Sequence, residues 1–425
     1  MACIDRYEEH TARVLRTVAC LCCLSLVATT SVMADDWPRW RGPEGNGRWV
    51  DGVIPGPFPG DRLEVDWRVP IGPGYSGVAV ADGLVYTMER LTRRKQERVV
   101  CRSARNGQTV WQYAYDADYG ELAYGSGPRA TPTVWRGRVY TLGAVGHLHC
   151  FDARTGKVLW RRDLERESRA RRPEWGFAAS PVIYGDWVII HAALQPGGCY
   201  AAFDGRSGRE IWRAGDDPVG YSTPVVVRYR GRDGLIGWTP RHIMGLDPAT
   251  GRILWRFPYR VTYGVSIATP LVADDTIVVC GYWEGSKAVR LGATFEEARL
   301  LWEENRYLRG LMSQPLHRGR VAYLLDKRHG LVGFDLASGT KRWTDGNRLT
   351  RRERNPQATM VWIGQTDHIL ALNAGGQLIH ARLSPDGYEE FDRAALVDKT
   401  WAHPAYCDGA VFARDDHQLV KARLP

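Results

Sequence analysis

The chain has 425 residues, of which 57 are Lys or Arg and 48 are Asp or Glu, so its formal net charge at pH 7 is +9. Hydrophobic residues make up 44% of the sequence and charged residues 25%, a composition that fits one large folded domain. Past the first 34 residues, no stretch is long and apolar enough to predict a transmembrane helix.

Residues 1–34 have the pattern of a secretory signal peptide. Arg13 and Arg16 precede an apolar stretch over residues 18–28, and Val32 and Ala34 place small side chains at the two positions that a signal peptidase recognises. The stretch is too short for a membrane span. We therefore predict that the mature chain is exported to the periplasm, the cell envelope or the extracellular space, where nucleic acid is a poor partner.

Residues 35–62 are rich in Pro and Gly and predict an extended N-terminal strap. The strap begins with the sequence Trp-Pro-Arg-Trp-Arg-Gly-Pro-Glu-Gly-Asn-Gly at residues 37–47. Directly after the strap, residues 63–69 have the pattern of a single strand that carries Trp67. This strand has no partner strands beside it in the sequence, so it is available to pair with a distant part of the chain.

A ten-residue segment then recurs at a spacing of roughly 40 to 50 residues, a period typical of propellers. Full copies have an Asp, then Thr or Ser followed by Gly, and a Trp four residues after the Gly. The Asp and Gly predict a tight turn with Gly at positive φ, and the Trp is predicted to pack against the neighbouring repeat. The predicted packing residues are Trp67, Trp111, Trp160, Trp212, Trp255, Trp302 and Trp343.

Each repeat begins with a small residue, then often Thr or Ser, then Pro, and contains four short predicted strands. Seven repeats run from Tyr75 to about Asp392, and residues 402–424 supply three strands of an eighth. We predict an all-β, eight-bladed β-propeller over residues 63–425, built from four-stranded antiparallel blades. The N-terminal strand at residues 63–69 is predicted to complete the last blade, which removes the open edges of a linear array.

The sequence predicts no catalytic or metal site. His147 and His149 are two residues apart, but His147 falls in or beside a predicted turn and has no Asp or Glu near it in the sequence, which favours a structural role. Residues 415–417, Asp-Asp-His, are interpreted as a turn between strands. No phosphate-binding loop, nucleophile elbow or zinc-protease motif is present.

The Asp-x-x-Thr-Gly-x-x-x-Trp motif, combined with the Ala-Thr-Pro starts and eight blades, resembles the quinoprotein-type propeller superfamily. Its members include pyrroloquinoline-quinone alcohol dehydrogenases and the BamB-like propellers of the outer-membrane assembly machinery. Residues 37–47 are similar to the opening of secreted quinoprotein-repeat proteins from planctomycete-like bacteria. For the enzymes, the resemblance implies a catalytic Asp, Glu and Asn ligands to Ca²⁺, an Arg over the quinone and a Trp floor. That set cannot be placed in this sequence, so we predict neither the quinone nor calcium as a cofactor.

Arginine and aromatic residues gather in loops that a propeller places on one face. These loops connect the outer strand of one blade to the inner strand of the next, or join the second and third strands of a blade. Arg forms paired hydrogen bonds with anionic groups, and rings supply rigid contact area. The candidate partner-binding residues are Arg93, Arg94, Arg169, Arg171, Arg172, Trp175, Tyr263, Arg306, Tyr307, Arg309, Arg351 and Arg352.

The function that the sequence predicts is that of a monomeric, non-catalytic binding or assembly scaffold. Its Arg-rich face would bind an acidic protein or an anionic polysaccharide of the cell envelope. A solvated rim without a partner is the plain alternative, because Glu residues lie among the arginines. A second functional class is an enzyme at the channel mouth, either a quinone-dependent alcohol or sugar dehydrogenase or a glycan-active hydrolase. Its candidate carboxylates are Asp116, Asp118 and Glu121.

Overall fold

The computed structural model describes residues 36–425, and the predicted signal peptide lies outside the described residues. Within residues 36–425, 33 strands form eight sheets, and each sheet is one blade. The four strands of each blade are antiparallel, and in blades one to seven they follow one another in chain order from the inner to the outer edge. The sheet of blade seven has a fifth strand, formed by Arg48–Trp49, which pairs parallel with the inner strand. The predicted eight-bladed all-β propeller is therefore confirmed. Over the same residues, no helix has the length and apolar character that a membrane crossing requires.

The strap contains one short strand, β1 (Arg48–Trp49), and the chain then forms β2 (Val65–Pro70). Blades one to four consist of β3 (Ala79–Ala81), β4 (Leu84–Leu91), β5 (Gln96–Ser103), β6 (Thr109–Asp116), β7 (Thr133–Trp135), β8 (Arg138–Leu142), β9 (His147–Asp152), β10 (Val158–Asp163), β11 (Val182–Tyr184), β12 (Trp187–Leu194), β13 (Gly198–Asp204), β14 (Glu210–Ala214), β15 (Val225–Tyr229), β16 (Arg232–Trp238), β17 (His242–Leu246) and β18 (Ile253–Pro258).

Blades five to eight follow the same order along the chain. Their strands are β19 (Leu271–Ala273), β20 (Thr276–Gly281), β21 (Gly285–Leu291), β22 (Ala298–Glu304), β23 (Leu316–Arg318), β24 (Val321–Asp326), β25 (Gly330–Asp335), β26 (Lys341–Thr344), β27 (Ala358–Ile363), β28 (His368–Asn373), β29 (Gln377–Ser384), β30 (Gly387–Ala395), β31 (Ala405–Cys407), β32 (Ala410–Arg414) and β33 (Gln418–Arg423). The described helical segments are an α-helix at Leu164–Ser168 and 3₁₀ turns at Thr92–Arg94 and Thr262–Gly264.

The N-terminal strand closes the ring as predicted. Blade eight has the strand order β2-β33-β32-β31, in which β2 pairs antiparallel with β33 and Trp67 lies opposite Lys421. The sequence placed the start of β2 two residues early, at Leu63. Because β2 covers the outer edge of β33, the last blade has the same four strands as the others.

The predicted tryptophans join successive blades in the same way. Each indole Nε1–H donates a hydrogen bond of 2.8–3.2 Å to a backbone carbonyl of the next blade. The acceptor lies between the two outer strands of that blade, except that Trp343 of blade six donates to Ser384, the last residue of β29 in blade seven. The pairs are Trp67 with Ala104, Trp111 with Ala153, Trp160 with Gly205, Trp212 with Pro248, Trp255 with Phe295, Trp302 with Leu336 and Trp343 with Ser384. The periodic Trp is thus a hydrogen-bond donor as well as an apolar wedge.

The glycine of the repeat has two roles. Gly251 has φ +74°, which confirms the predicted positive φ of the turn. A Cβ atom at Gly251 would also lie 2.5 Å from the ring of Trp212, which belongs to the preceding blade. Gly156 stands in the same relation to Trp111, again at 2.5 Å. The turn therefore needs Gly both for its backbone conformation and to receive the neighbouring indole.

Blade seven lacks the tryptophan, and the strap supplies contacts there instead. By strand register, Asp392 stands at the repeat Trp position, opposite His380, as Trp160 stands opposite Cys150 in blade two. Phe391 is the bulge residue before it and is 41% exposed. In the strap, the Asp61 carbonyl accepts a hydrogen bond of 2.7 Å from the Ala395 amide at the end of blade seven. The Gly56 amide donates one of 2.8 Å to the carbonyl of Pro425 at the end of blade eight. The second half of the strap therefore links blades seven and eight.

Because four histidines are buried, we predict that the fold loses stability in acid. Burial lowers the pKa of His149 and His403 to about 3 and that of His191 and His380 to about 4. In the unfolded chain these rings bind a proton near pH 6.5. The unfolded state therefore holds more protons below pH 6.5, and stability is lost as the pH falls from 6.5 towards 4.

We expect the urea midpoint to drop between pH 7.5 and pH 4.5, with about 1 to 3 kcal/mol lost per buried histidine. The His191 ring accepts a hydrogen bond from the Gly220 amide at Nε2 and contacts the Ser222 carbonyl through Nδ1, both at 3.2 Å, so His191 is held neutral. His191→Gln should flatten the pH dependence, whereas His417→Gln, at an exposed position, should not. A pH profile that His191→Gln leaves unchanged would contradict this assignment.

Candidate binding site on the loop face

The first part of the strap fills the central channel. In each blade the first strand is the inner strand, and the eight inner strands surround the axis. Residues 36–49, here called the plug, contact the inner edge of blades one, two, five, six, seven and eight. The contacts are Trp37 with Val80, Pro38 with Val134, Trp40 with Thr269, Arg41 with Pro315 and Gly47 with Trp362. Trp37 also packs against Tyr406 of blade eight, with ring centroids 5.4 Å apart. Because one short segment reaches six blades, it lies across the channel.

The plug is a loop that enters and leaves on the same side. Asp36 contacts the Asp82 amide in the turn between β3 and β4, and the Arg48 guanidinium donates to the Gly364 carbonyl in the turn after β27. Both turns lie on the side of the propeller that we call the turn face. Between them, Trp40 Nε1 reaches Thr269 Oγ1 at 2.8 Å, just before β19 begins. Trp40 is therefore the part of the plug nearest the opposite side, the loop face.

A buried arginine fixes the returning half of the plug. The Arg41 guanidinium donates to the carbonyls of Asn46 at 2.9 Å and Pro315 at 3.0 Å. Burial lowers the pKa of Arg41 to about 10, so it is charged at neutral pH. Gly47, at φ +80°, leaves room for this side chain, since a Cβ there would lie 3.0 Å from Arg41 Nη2.

A cavity of about 590 Å³ lies on the loop face above the plug. We call it the axial pocket. Trp40 of the plug is part of its lining, and most of the other residues come from the connections that lead into the inner strands. Aromatic side chains dominate these walls, among them Trp40, Tyr124, Trp175, Tyr263, Trp283 and Trp401.

Three aromatic residues of the axial pocket are exposed to solvent. Tyr263 is 69% exposed, Tyr124 49% and Trp283 42%. Tyr124 and Tyr263 also have positive φ values of 51° and 54°, a conformation that is uncommon outside Gly and Asn. Exposed rings held in unfavourable backbone conformations are typical of binding sites, because packing alone does not explain them.

Deeper in the axial pocket, uncharged polar atoms have unused hydrogen-bonding capacity. Gln357 is only 2% exposed, and its Oε1 has no hydrogen-bond partner. The Nε1 of Trp401 is buried and also lacks one. His403 packs against Trp40 with ring centroids 4.0 Å apart, and burial lowers its pKa to about 3, so its imidazole is neutral. Buried polar atoms normally find partners, so these groups call for an explanation.

The predicted site residues divide into three groups. Trp175 and Tyr263 line the axial pocket. Six arginines lie further out on the loop face, are exposed and contact no carboxylate within the part of the chain that the structure describes: Arg93, Arg94, Arg169, Arg171, Arg351 and Arg352.

The remaining predicted residues already have partners within the chain. Arg172 forms a paired contact with Glu165 at 2.6 and 2.8 Å, and Arg309 contacts Asp326 at 3.2 Å. Arg306 lies over the ring of Tyr307, with its Cζ 5.2 Å from the ring centroid. These four residues are part of the rim but do not reach the axial pocket.

Sequence reasoning missed Trp283, Gln357, Trp401 and His403. One signal was available for His403. Blades two to five have Thr or Ser directly before the first Pro, whereas blade six has Gln314 and blade eight has His403 at that position. A departure from the repeat consensus at an inner strand marks a side chain that the scaffold itself does not need.

The lining of the axial pocket does not fit the calcium and quinone set of the enzymes. Glu174 is the carboxylate among its described lining residues. Over residues 36–425, no three His, Cys, Asp or Glu side chains come together in a group that could hold a metal. Calcium takes six to eight oxygen ligands, several of them carboxylates, and this pocket does not offer such a set.

Comparison with known proteins identifies the family. The family described as outer membrane protein assembly factor BamB matches residues 64–215, 95–345 and 201–383. The chain belongs to this family. Among solved structures, BamB from Moraxella catarrhalis is similar with a TM-score of 0.60 and 18% identity, over 85% of this chain and 97% of that one. At this identity the similarity shows the fold.

Quinone-dependent enzymes have the same fold. The quinohemoprotein alcohol dehydrogenase from Comamonas testosteroni matches with a TM-score of 0.65 and 14% identity, over 93% of this chain and 82% of that one. In sequence, the quinohemoprotein alcohol dehydrogenase ADH-IIG of Pseudomonas putida is 30% identical over 157 residues, which are 36% of this chain and 20% of that enzyme. The chain thus matches about a fifth of the length of this relative.

Proposed function

We propose that this family member is an exported, non-catalytic binding protein whose loop face docks an acidic protein or an anionic polysaccharide of the cell envelope. One observation carries the proposal: six exposed arginines without a carboxylate partner lie on the same face as a pocket walled by exposed aromatic rings. The name of the family, an outer membrane assembly factor, and the signal pattern of residues 1–34 support an envelope location.

The arginines are arranged to attract an anion without cost to the fold. Arg93 and Arg94 lie between β4 and β5, Arg169 and Arg171 before β11, and Arg351 before β27. All of these segments emerge on the loop face. Exposed arginines keep their hydration and rotamer freedom until a partner arrives, and several together raise the rate of association with an acidic surface.

The enzymatic alternative has less support from the geometry. Asp116, Asp118 and Glu121 do not line the axial pocket. Asp118 instead forms a 3.0 Å ion pair with Lys95, and its pKa is lowered by hydrogen bonds from the Gly120 amide and Lys95. Glycoside hydrolysis generally uses a pair of facing carboxylates, and only Glu174 is present in the described lining.

Charge reversal on the loop face tests the proposal. We expect Arg169, Arg171, Arg351 and Arg352, changed together to Glu, to weaken binding by about tenfold or more at low salt, because attraction becomes repulsion. Binding is measured to polyglutamate and to a carboxylated polysaccharide over a range of NaCl concentrations. Thermal stability should change little, since these side chains have no partner to lose.

A matched control places the same charge change on the turn face. Arg105, Arg154, Arg206 and Arg252 are exposed in turns between the third and fourth strands of four blades. Their reversal to Glu alters the net charge equally but should leave binding close to wild type. Equal losses from the two variants would show that only net charge matters and would contradict a docking face.

A further inference from the structure

We infer that the axial pocket binds sugar units of an anionic polysaccharide, whose acidic groups the loop-face arginines contact. The inference rests on the proposed function and chooses between its two partners. It is carried by two features found together: exposed aromatic walls and a floor of uncharged polar atoms without hydrogen-bond partners.

The walls suit a ring with apolar faces. Trp401 stacks on Tyr75 with ring centroids 5.6 Å apart and planes at 25°, and Trp283 meets Tyr263 edge to face at 5.3 Å. These neighbours hold the rings in place, so little side-chain entropy is lost when a ligand binds. The C–H face of a pyranose presents a flat apolar surface to such rings. The volume of about 590 Å³ is in the range of small-ligand sites.

The floor suits hydroxyl groups. Gln357 Oε1 is an acceptor without a donor, and Trp401 Nε1 is a donor without an acceptor. Neutral His403 offers one further ring nitrogen of each kind. A hydroxyl both donates and accepts, so sugar hydroxyls match both the unpaired acceptor of Gln357 and the unpaired donor of Trp401. A buried polar atom without a partner has lost its hydration, and a hydrogen bond from a ligand restores part of that free energy.

The charges favour a sugar ring inside the axial pocket and acidic groups outside it. Among the lining residues, the Arg129 guanidinium donates hydrogen bonds to the carbonyls of Ala123, Tyr124 and Gly127. Burial lowers the pKa of Arg129, so the pocket also disfavours added positive charge. Arg354 and Glu174 are exposed charged residues of the lining, whereas the six exposed arginines of the proposed docking face do not line the pocket. An acidic polypeptide would place its carboxylates among the arginines but has no hydroxyl-rich ring for the floor.

The test compares two polyanions of similar charge density that differ in their backbone. The probes are alginate oligosaccharides and poly-L-glutamate, and the affinity of each for the full mature chain is measured at fixed ionic strength. Trp283→Ala and Gln357→Ala alter the pocket, and Phe391→Ala is the control because it removes an exposed ring on the outer strand of blade seven. Circular dichroism confirms that each variant is folded.

We expect Trp283→Ala and Gln357→Ala each to weaken alginate binding by about tenfold and to leave polyglutamate binding unchanged. Phe391→Ala should leave both unchanged. If the arginine reversals weaken alginate binding but both pocket variants bind normally, the sugar site is wrong and the docking face stands. Tighter binding of polyglutamate than of alginate would identify an acidic protein as the partner. If neither polymer binds, the proposed function fails together with this inference.

Discussion

Replacing Trp212 by alanine is expected to lower the free energy of unfolding by about 3 to 5 kcal/mol, the usual cost of removing a buried Trp side chain. Trp212 is 8% exposed and donates its indole N–H to the Pro248 carbonyl at 3.0 Å. The substitution removes both the ring and the hydrogen bond that join blades three and four. Urea denaturation followed by far-ultraviolet circular dichroism measures the loss.

Trp343→Ala is the matched control within the same chain. Trp343 occupies the equivalent position in blade six but is only half-buried, and its bond to the Ser384 carbonyl is longer, at 3.2 Å. A Cβ at Gly387 of the next blade would contact nothing within 4 Å, so no close-packed glycine receives this ring. We expect Trp343→Ala to cost less than half as much as Trp212→Ala. Equal costs would show that exposure and glycine packing do not set the strength of a blade contact.

A double variant separates the two roles of the repeat glycine. Gly251→Ala places a methyl group against the Trp212 ring and forces Ala into φ +74°, so it should destabilise the fold on both counts. When Trp212 is already Ala, the steric clash is gone and only the backbone cost remains. The combined loss should therefore be smaller than the sum of the single losses.

These contacts show why the fold could be predicted and where prediction stopped. The Asp, Gly and Trp recur at fixed offsets, and each residue has a local physical role in a turn or a strand. For blade two, the alternation of apolar runs and Gly turns predicts strands over residues 133–135, 139–142, 148–151 and 158–161, each within two residues of the observed β7 to β10. The contact of Gly251 with the preceding Trp212 could not be predicted, because it joins two repeats and leaves no local pattern beyond the turn.

The plug and the axial pocket depend on contacts that have no sequence period. Trp40 was visible as part of an unusual Pro- and Gly-rich segment, but its partner Thr269 is 229 residues away. Gln357 leads into blade seven and Trp401 into blade eight, and both line the axial pocket together with Trp283 of blade five. The arginines were easier to find, since propeller topology alone puts their loops on one face. The sequence repeat therefore predicts the propeller and the face on which the arginine loops lie. It does not predict which side chains come together at the axis.

Two N-terminal truncations separate the strap from the closing strand. A chain that begins at Glu64 lacks the plug and the strap contacts to blades seven and eight but keeps β2. A chain that begins at Ile71 also lacks β2 and Trp67, so β33 becomes an unpaired edge and the Trp67 bond to Ala104 is lost. We expect the first chain to remain a folded monomer of lower melting temperature, and the second to aggregate or remain largely unfolded.

The expected difference follows from ring closure. Removing the strap takes away buried Trp37, Trp49 and Phe58, each worth about 1.5 to 3 kcal/mol, but leaves all eight blades with four strands. Removing β2 exposes backbone donors and acceptors along β33, which templates pairing between copies. Size-exclusion chromatography and thermal melts compare the two chains with one that begins at Asp36. A well-folded monomer starting at Ile71 would show that the last blade does not need its N-terminal strand, and that the ring is held by the tryptophan contacts between blades instead.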